Sequence, residues 1–513
     1  MGTRLEALGS EALPGAVPVR RARVGDAALR AACQEVREAG GLLHALWGSD
    51  ERDRGGGFLL RVALQDAAGL LVLELPLEAA LPGYPSLSGI FPAADRMQRA
   101  AFDLLGLTAY GGDTRDWLRH AAWPLDHYPL RRDAGAAEVP ARDGHYPFVP
   151  VTGEGVHEIA VGPVHAGTIE PGHFRFSVVG EKVLRLEQRL GYAHKGVEKR
   201  FESMPLDAGQ RLAARVSGDS AVAFAWAYCM ALEGMAGALP PPRALALRAL
   251  LLERERIANH LGDLGALGND AGFAMGLAQF SRLKEDLLRG NSAAFGARYP
   301  LDAVVPGGTA ADLGDAQRRA LLAAIPPLEA EVRTLREIYD DHAGLQDRFQ
   351  GAGRVAPALA RQLGLVGLAG RASGQAWDLR CGPGHAPYAA LDVRLAGGLD
   401  GDVAARVAVR FDETLESLRL CRALLEGLPG GAVRAALPPV AAGRFGLGWV
   451  EGWRGPVLVA LEAGEAGAIR RCHPHDPSWQ NWPVLEHAIL GNIVPDFPLI
   501  NKSFNLSYSG QDL

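Results

Sequence analysis

Apolar residues alternate with polar ones in some segments of the chain and recur at helical spacing in others. Residues 58–64 and 70–77 form two apolar runs, and the turn-forming sequence 66–69 separates them. This pattern predicts an antiparallel hairpin. Two further apolar runs within residues 446–461 flank the glycine-containing sequence 452–456, which predicts a second hairpin.

Three longer segments place leucine, isoleucine and valine on one helical face. This spacing predicts helices over residues 243–264, 315–341 and 402–428. Residues 355–387 are rich in glycine and have no period, so we expect irregular structure there. The sequence also indicates a third hairpin with its turn near Gly180, followed by the start of a charged helix within residues 191–199.

Composition changes along the chain and predicts how it is organised. Residues 134–153 are rich in alanine, glycine and proline and lack a hydrophobic period, which is typical of a connector. We therefore expect an α+β protein with a small N-terminal α/β-sandwich-like domain over residues 1–133. Residues 154–513 would form a larger, mainly helical domain that contains a short β-hairpin region.

The overall composition is that of a folded protein and excludes several classes. The chain has 513 residues, 48% of them hydrophobic and 22% charged, which excludes a disordered chain. A net charge of −6 argues against nucleic acid as a partner. Five scattered cysteines argue against a disulfide framework. No signal peptide or run of about 18 apolar residues stands out, so we expect a protein of the reducing cytoplasm.

Familiar nucleotide and metal signatures are missing or incomplete. No Gly-Lys pair of a phosphate-binding loop occurs, and Gly446-Leu447-Gly448 lacks the third glycine of a dinucleotide fingerprint. Residues 472–476 read Cys-His-Pro-His-Asp and resemble a metal cluster. Adjacent residues in an extended segment cannot all face one ion, so we interpret them as a loop near Trp479 and Trp482, with metal binding as the alternative.

One series of motifs identifies a family. It begins with Gly162-Pro163-Val164-His165, Glu170-Pro171 and Gly191-Tyr192-Ala193-His194-Lys195-Gly196. Read alone, this region is a structural hairpin with solvated charges. The series resembles the N-terminal signature of large subunits of membrane-bound nickel–iron hydrogenases and of the 49-kDa-type subunit of respiratory complex I.

The resemblance extends over nearly the whole chain. Further matches follow in order, at residues 253–260, 306–308, 371–374, 378–380, 387–388, 401–413, 451–455 and 477–479. Residues 123–133 resemble the 30-kDa-type subunit of complex I. A fusion of these two parts is the layout of the large subunits of formate hydrogenlyase and hydrogenase-4, so the resemblance implies a hydrogenase-large-subunit-like second domain.

The departures from the family pattern concern its metal ligands. The hydrogenase motif carries two CxxC pairs, because nickel and iron need four soft thiolates. At the corresponding positions this sequence has Ser217, Ser220, Ser507 and Gly510. A serine hydroxyl is a hard donor and glycine offers no ligand atom, so we expect no nickel–iron centre and no hydrogen chemistry.

The quinone site of the complex I branch does not carry over either. That branch has a second histidine where this sequence has Ile169, and a tyrosine where it has Gly218. Of these residues only His165 remains. The sequence around Gly218 therefore looks like a hydrogenase motif without its thiols.

By resemblance, the motifs converge on a cavity beside a partner's iron–sulfur cluster. We expect His165 and Asp219 to be its candidate catalytic residues, because a histidine and a carboxylate relay protons or bind polar ligands. The other expected cavity residues are Glu170, Arg215, Ser217, Ser220, Arg371, Asp378, Ser507 and Asp512. Two alternatives remain open, an inert core whose polar groups satisfy one another and a hard-metal site of oxygen ligands.

The resemblance implies a peripheral subunit on the cytoplasmic face of the cell membrane, within an energy-converting oxidoreductase related to complex I and hydrogenase-4. Its implied partners are a small iron–sulfur subunit, a ferredoxin-like subunit, a membrane anchor and antiporter-like subunits. The chain itself would carry no cofactor. The alternative is a redox-silent scaffold or coupling subunit of an ion- or bicarbonate-handling membrane complex.

Overall fold

The computed structural model describes residues 5, 8–120, 122–136, 144–382 and 386–513. Its N-terminal part contains a five-stranded sheet in the order β1-β2-β5-β4-β3. The strands are β1 (Glu11–Leu13), β2 (Val19–Arg23), β3 (Leu42–Asp50), β4 (Phe58–Asp66) and β5 (Gly69–Leu77). Strands β4 and β5 pair antiparallel from Phe58 opposite Leu77 to Asp66 opposite Gly69, which confirms the first predicted hairpin.

Two helices and a small parallel ribbon complete this part. Helix α1 (Asp26–Glu38) contacts β4 and β5, whereas α2 (Ala94–Leu105) contacts β3. Strands β6 (Gly83–Pro85) and β7 (Thr108–Tyr110) pair parallel to each other. Neither helix was predicted, although Leu29, Ala32, Cys33 and Val36 of α1 are buried at helical spacing.

The third predicted hairpin is also present, in a three-stranded sheet. It consists of β8 (Val156–Val161), β9 (His173–Val179) and β10 (Lys182–Arg189). Gly180 lies in the turn between β9 and β10 with a φ of 58°, a left-handed conformation that glycine adopts without strain. The long connection from β8 to β9 contains His165 and Glu170.

Long helices build the larger part of the molecule. The helices after β10 are α3 (Val197–Phe201), α4 (Gly209–Ala213), α5 (Ala221–Ala236), α6 (Pro242–Asp270), α7 (Ala274–Phe295), α8 (Asp315–Asp341), α9 (Ala343–Phe349), α10 (Pro357–Leu363), α11 (Gly367–Ala372), α12 (Val403–Glu426), α13 (Ser478–Ala488), α14 (Phe497–Phe504) and α15 (Tyr508–Asp512). Helix α6 packs against α7 and α12, and α8 packs against the same two helices.

Helix α8 matches the predicted bounds, and α6 and α12 differ from them only near their ends. Helices α5 and α7 were not predicted. Nearly every residue of α5 is buried, so it lacks the polar face that marks an amphipathic helix in a sequence. The expected irregular stretch between α9 and α12 contains the short helices α10 and α11.

A third sheet joins the two parts of the chain. Strands β11 (Val304–Val305) and β12 (Gly308–Thr309) form a small ribbon, and β13 (Phe445–Glu451), β14 (Pro456–Ala463) and β15 (Ile469–His475) form an antiparallel sheet. The β13–β14 pair confirms the second predicted hairpin. A Cβ on Gly448 would lie 1.8 Å from the carbonyl oxygen of Ala227, so glycine lets α5 lie directly on β13.

Strand β15 corrects one prediction. Residues 472–475 were expected in a loop, but they form the end of β15 and are buried. His473 Nδ1 lies 2.7 Å from Glu198 Oε1, and the ring of His473 stacks on Trp47 of β3. His475 stacks on Trp479, so the expected aromatic neighbour is present. The extended conformation was expected but its pairing was not; β15 is an edge strand of its sheet, where a proline such as Pro474 is tolerated.

The fold thus combines small sheets with a large helical part, as the sequence predicted. Among the described residues, no helix has both the length and the apolar character that crossing a bilayer requires.

Candidate functional site

The four positions that the resemblance assigns to metal ligands come together from two distant segments of the chain. Ser217 and Ser220 lie in the turn before α5, and Ser507 and Gly510 lie at the start of α15. The Oγ atoms of Ser217 and Ser507 are 2.8 Å apart. Ser507 caps α15, because its Oγ accepts a hydrogen bond of 2.9 Å from the backbone N–H of Gly510.

A carboxylate occupies the centre of this arrangement. Ser217 and Ser220 donate hydrogen bonds to Asp219 Oδ1 at 2.7 and 3.2 Å. Arg454 donates to Asp219 Oδ2 at 2.6 Å and to Oδ1 at 3.3 Å. Burial raises the pKa of Asp219, but Arg454 and the two hydroxyls outweigh burial and leave the pKa below its ordinary value. Asp219 is therefore ionised at neutral pH.

The hairpin between β13 and β14 supplies the arginine. Arg454 Nε donates to the carbonyl oxygen of Asn505 at 2.6 Å, which ties the hairpin to the segment before α15. Trp453 Nε1 and Asn259 Nδ2 both donate to the carbonyl oxygen of Asp219, at 2.9 and 2.8 Å. The backbone and the side chain of Asp219 are thus both held in place.

A second carboxylate lies against Gly510. A Cβ on Gly510 would stand 2.7 Å from both Cγ and Oδ2 of Asp476, and 2.9 Å from Ser507 Oγ. Asp476 Oδ1 accepts a hydrogen bond of 2.8 Å from the N–H of Ser478. Its Oδ2 has no hydrogen-bond partner in the described part of the chain and lies 3.9 Å from Arg454 Nη1. Burial raises the pKa of Asp476. Its carboxyl group fills the space that any side chain at position 510 needs.

These residues do not fit a nickel–iron centre. The side chains that meet here are hydroxyls, two carboxyl groups and a guanidinium, whereas such a centre takes soft thiolates. An arginine paired with the central carboxylate also opposes a cation at that point. Within the described ranges, no three His, Cys, Asp or Glu side chains are grouped so that they could hold a metal ion.

A series of hydroxyl groups leads outward from Asp219 and ends beside Glu170, which accepts from a backbone N–H. Ser507 Oγ lies 3.5 Å from Ser509 Oγ, and the N–H of Ser509 donates to Glu170 Oε2 at 3.0 Å. Glu170 is exposed. His165 joins the path only through Tyr508, whose hydroxyl lies 3.4 Å from His165 Nε2.

Ser217, Asp219, Ser220, Arg454, Asp476 and Ser507 are called the cluster below. Two further carboxyl groups near the cluster have raised pKa values. Burial raises the pKa of Asp512 to about 7, although its Oδ2 accepts a hydrogen bond of 2.9 Å from the N–H of Ala193. Burial likewise raises the pKa of Glu255 to about 8, although it accepts from the N–H groups of Val222 and Ala223 at the start of α5. Both groups can therefore change charge near neutral pH.

A cavity of about 240 Å³ borders the cluster on one side. Asp219, Glu255 and Asn259 line it, together with Lys284 of α7. The side chain of Asp219 is 37% exposed, and the surface it exposes faces this cavity. Protein atoms surround the cavity opening, so the carboxylate still lies deep in the molecule. The cavity thus gives water or a small polar ligand access to the carboxylate.

Three of the expected cavity residues lie elsewhere. Arg371 and Asp378 belong to a separate buried network, in which Arg371 Nη1 lies 2.9 Å from Glu451 Oε1 and 3.4 Å from Asp378 Oδ2. Arg215 points outward and forms an exposed ion pair of 2.8 Å with Asp302. The remaining expected residues lie in or around the cluster at the start of α15. They are His165, Glu170, Ser217, Asp219, Ser220, Ser507, Gly510 and Asp512.

Sequence reasoning missed three residues of the site. Arg454 lies inside a motif that was matched to the family, yet its partner could not be inferred from spacing alone. Asp476 was seen only as part of a possible metal cluster. Glu255 and Glu253 are both buried on helix α6. The charge pattern of that helix does not indicate which of the two borders a cavity.

Comparison with known protein families identifies both parts of the chain. Residues 22–139 match the family described as the respiratory-chain NADH dehydrogenase 30 Kd subunit, and residues 270–444 match the 49 Kd subunit. Formate hydrogenlyase subunit 5 of Escherichia coli K12 is 32% identical over 483 residues, which is 92% of this chain and 85% of that protein. The chain belongs to this family of fused subunits.

Two other proteins support that placement. Hydrogenase-4 component G of the same bacterium is 31% identical over 481 residues, covering 92% of this chain and 84% of that protein. A chain of the membrane-bound sulfane sulfur reductase, an archaeal respiratory membrane complex, aligns with a TM-score of 0.66 at 24% identity over 71% of this chain and 100% of that chain. This last likeness shows a shared fold. The family inferred from the motif series is thereby confirmed.

Proposed function

We propose that this family member is a peripheral subunit of a membrane-bound energy-converting oxidoreductase related to complex I and hydrogenase-4, and that it has lost the nickel–iron site. It couples electron transfer at a neighbouring iron–sulfur cluster to ion translocation. The observation that carries the proposal is the ion pair between Asp219 and Arg454, which lies among the former ligand positions. The packing of Asp476 against Gly510 adds to it.

The partners follow from the relatives, which are subunits of hydrogenase and complex I-like assemblies. They are a small iron–sulfur subunit, a ferredoxin-like subunit, a membrane anchor and antiporter-like subunits, with this chain on the cytoplasmic face. In this proposal residues 1–133 form the 30-kDa-like domain, residues 134–153 the connector and residues 154–513 the 49-kDa-like domain. The iron–sulfur cluster belongs to the small subunit.

The residues of the cluster contribute a charge-sensitive element. A hydroxyl both donates and accepts, so the hydroxyls of Ser217, Ser507 and Ser509 extend outward from Asp219 as groups that can pass a proton. Glu170, which accepts from the backbone N–H of Ser509, lies beside the outer end of these hydroxyls. An electron arriving nearby makes proton uptake more favourable along such a path. In this proposal Asp219 is the inner end of the path, and His165 is a side branch through Tyr508.

The test uses the intact membrane complex. We expect elemental analysis to find iron but no stoichiometric nickel. We also expect Asp219→Asn to slow turnover-coupled proton uptake while the cluster is still reduced, as followed by its electron paramagnetic resonance signal. Asp302→Asn is the matched control, because Asp302 is half exposed and pairs only with Arg215 in the described structure.

Two results would contradict the proposal in different ways. Nickel at one equivalent per chain would restore the hydrogenase interpretation. Unchanged proton uptake in both Asp219→Asn and His165→Ala would mean that these groups fill an inert core, and the chain would then act as a redox-silent scaffold.

A further inference from the structure

A groove on the helical part contains a buried arginine that has no carboxylate partner among the described residues. The groove encloses about 520 Å³ and lies between α6, α7, α8 and α12. This volume is in the range of small-molecule sites. Its walls are mainly apolar, with Leu283, Leu287, Leu321, Ile325 and Leu418 among the lining residues.

The groove exists because the facing sides of two helices carry small residues. Helix α7 contributes Gly290, Ala293 and Ala294, and α8 contributes Ala316, Ala320 and Ala324. Side chains of this size cannot fill the space between the two helices. The gap reaches inward to Arg254 on α6, which is 4% exposed.

Arg254 differs from its neighbours on the same helix. Arg248 and Arg256 have carboxylate partners, Glu233 at 2.6 Å and Glu253 at 3.3 Å. Among the described residues, Arg254 contacts only neutral acceptors, Nε to Asn291 Oδ1 at 2.5 Å and Nη2 to the carbonyl oxygen of Leu287 at 3.0 Å.

The third nitrogen of Arg254, Nη1, donates to no described group. The guanidinium lies beside the groove lining, because a Cβ on Gly290 would stand 3.2 Å from Nη2. Cys421, which also lines the groove, is a buried thiol and provides no negative charge, since burial raises its pKa to about 12. An uncompensated buried cation is costly unless an anion joins it.

We propose that this groove binds an aliphatic carboxylate, with the chain between α7 and α8 and the carboxylate on Arg254. The walls are mainly apolar side chains of helices, so they suit a ligand with one polar end and an apolar body. The remaining charges sit at the rim, where Arg282 is exposed and pairs with Asp286 and Glu331. The proposal is independent of the proposed function.

The test is calorimetric titration of the full chain with dodecanoate below its micelle concentration, and with dodecan-1-ol as the uncharged analogue. We expect one equivalent of dodecanoate to bind at least about tenfold more tightly than the alcohol. Arg254→Met should abolish that preference, whereas Arg254→Lys should keep most of it. Retention by lysine separates the role of charge from a failure to fold.

A second pair of variants tests the groove itself. Ala324→Trp fills the groove and should remove binding of both ligands, whereas Ala330→Trp, on the same helix outside the groove, should leave both unchanged. Equal affinity for the two ligands in the unmodified chain would overturn the proposal, and so would undiminished binding by Ala324→Trp. A structure of the whole complex with a partner's acidic side chain on Arg254, and no dodecanoate binding, would also overturn it.

Discussion

Replacing Gly510 by alanine tests the packing of the site most directly. In an open helical position this change stabilises a protein by up to about 1 kcal/mol, because glycine is a poor helix former. Here the new Cβ would stand 2.7 Å from Asp476 Cγ, well inside contact distance. Overpacking of this kind costs about 1–3 kcal/mol. We therefore expect Gly510→Ala to destabilise the chain by up to about 2 kcal/mol.

The sign should reverse once the carboxyl group is removed. In an Asp476→Ala background the main obstacle is gone. The remaining contact, to Ser507 Oγ at 2.9 Å, is also short, but this oxygen ends a rotatable side chain and can shift. Gly510→Ala should then stabilise by about 0.5–1 kcal/mol. The coupling energy between the two positions is accordingly about 1–3 kcal/mol, which a double-mutant cycle resolves.

Urea unfolding followed by tryptophan fluorescence is a suitable assay, because Trp482 donates a hydrogen bond to the carbonyl oxygen of Ser507 inside the site. Gly218→Ala is the control, since a Cβ there would meet nothing within 4 Å. It should change stability by no more than about 0.5 kcal/mol. A neutral or stabilising effect of Gly510→Ala in the unmodified chain would refute the packing we describe.

Two further predictions concern charge. Arg454→Met should lower the free energy of unfolding by about 2–3 kcal/mol, which is less than for a fully buried pair because Asp219 borders a cavity. Arg215→Met, which breaks an exposed pair, should lower it by under about 1 kcal/mol. Equal losses in urea unfolding would contradict this prediction. The raised pKa of Glu255 means that its native state holds a proton that the unfolded state releases, so its contribution to stability is full below pH 4.5 and falls until about pH 8. The difference in unfolding free energy between the unmodified chain and Glu255→Gln should therefore decline from pH 4.5 to about pH 8. A difference that stays constant with pH would contradict the raised pKa of Glu255.

The sequence predicts best where structure follows from a local pattern. Helix α8 has the predicted bounds, because it lies on the surface and keeps a polar face along its whole length. The hairpins were equally clear, since short apolar runs and the turn residues between them are local signals. Helix α5 escaped prediction because burial on all sides removes the periodic signal.

The site could be anticipated only in part. The convergence of Ser217 with Ser507, across 290 positions, came from the family resemblance, because no local pattern indicates it. The pairing of Arg454 with Asp219 depends on how the turn between β13 and β14 packs against the turn before α5. The spacing of residues along the sequence does not encode that contact. Arg215 lies next to the motif in sequence, yet it turns outward to Asp302.

In the proposed function, the site is rebuilt around Asp219 rather than merely depleted of cysteines. Arg454 belongs to a motif shared with the family, and it is 2% exposed here. Had only the cysteines been replaced by serines and glycine, this buried guanidinium would have lost the negative charge of the thiolates, at a cost of several kcal/mol. Asp219, which lies between the two serines in the sequence, provides that charge. Restoring four cysteines alone should therefore not restore a metal site, since the Asp219–Arg454 ion pair would still occupy its centre.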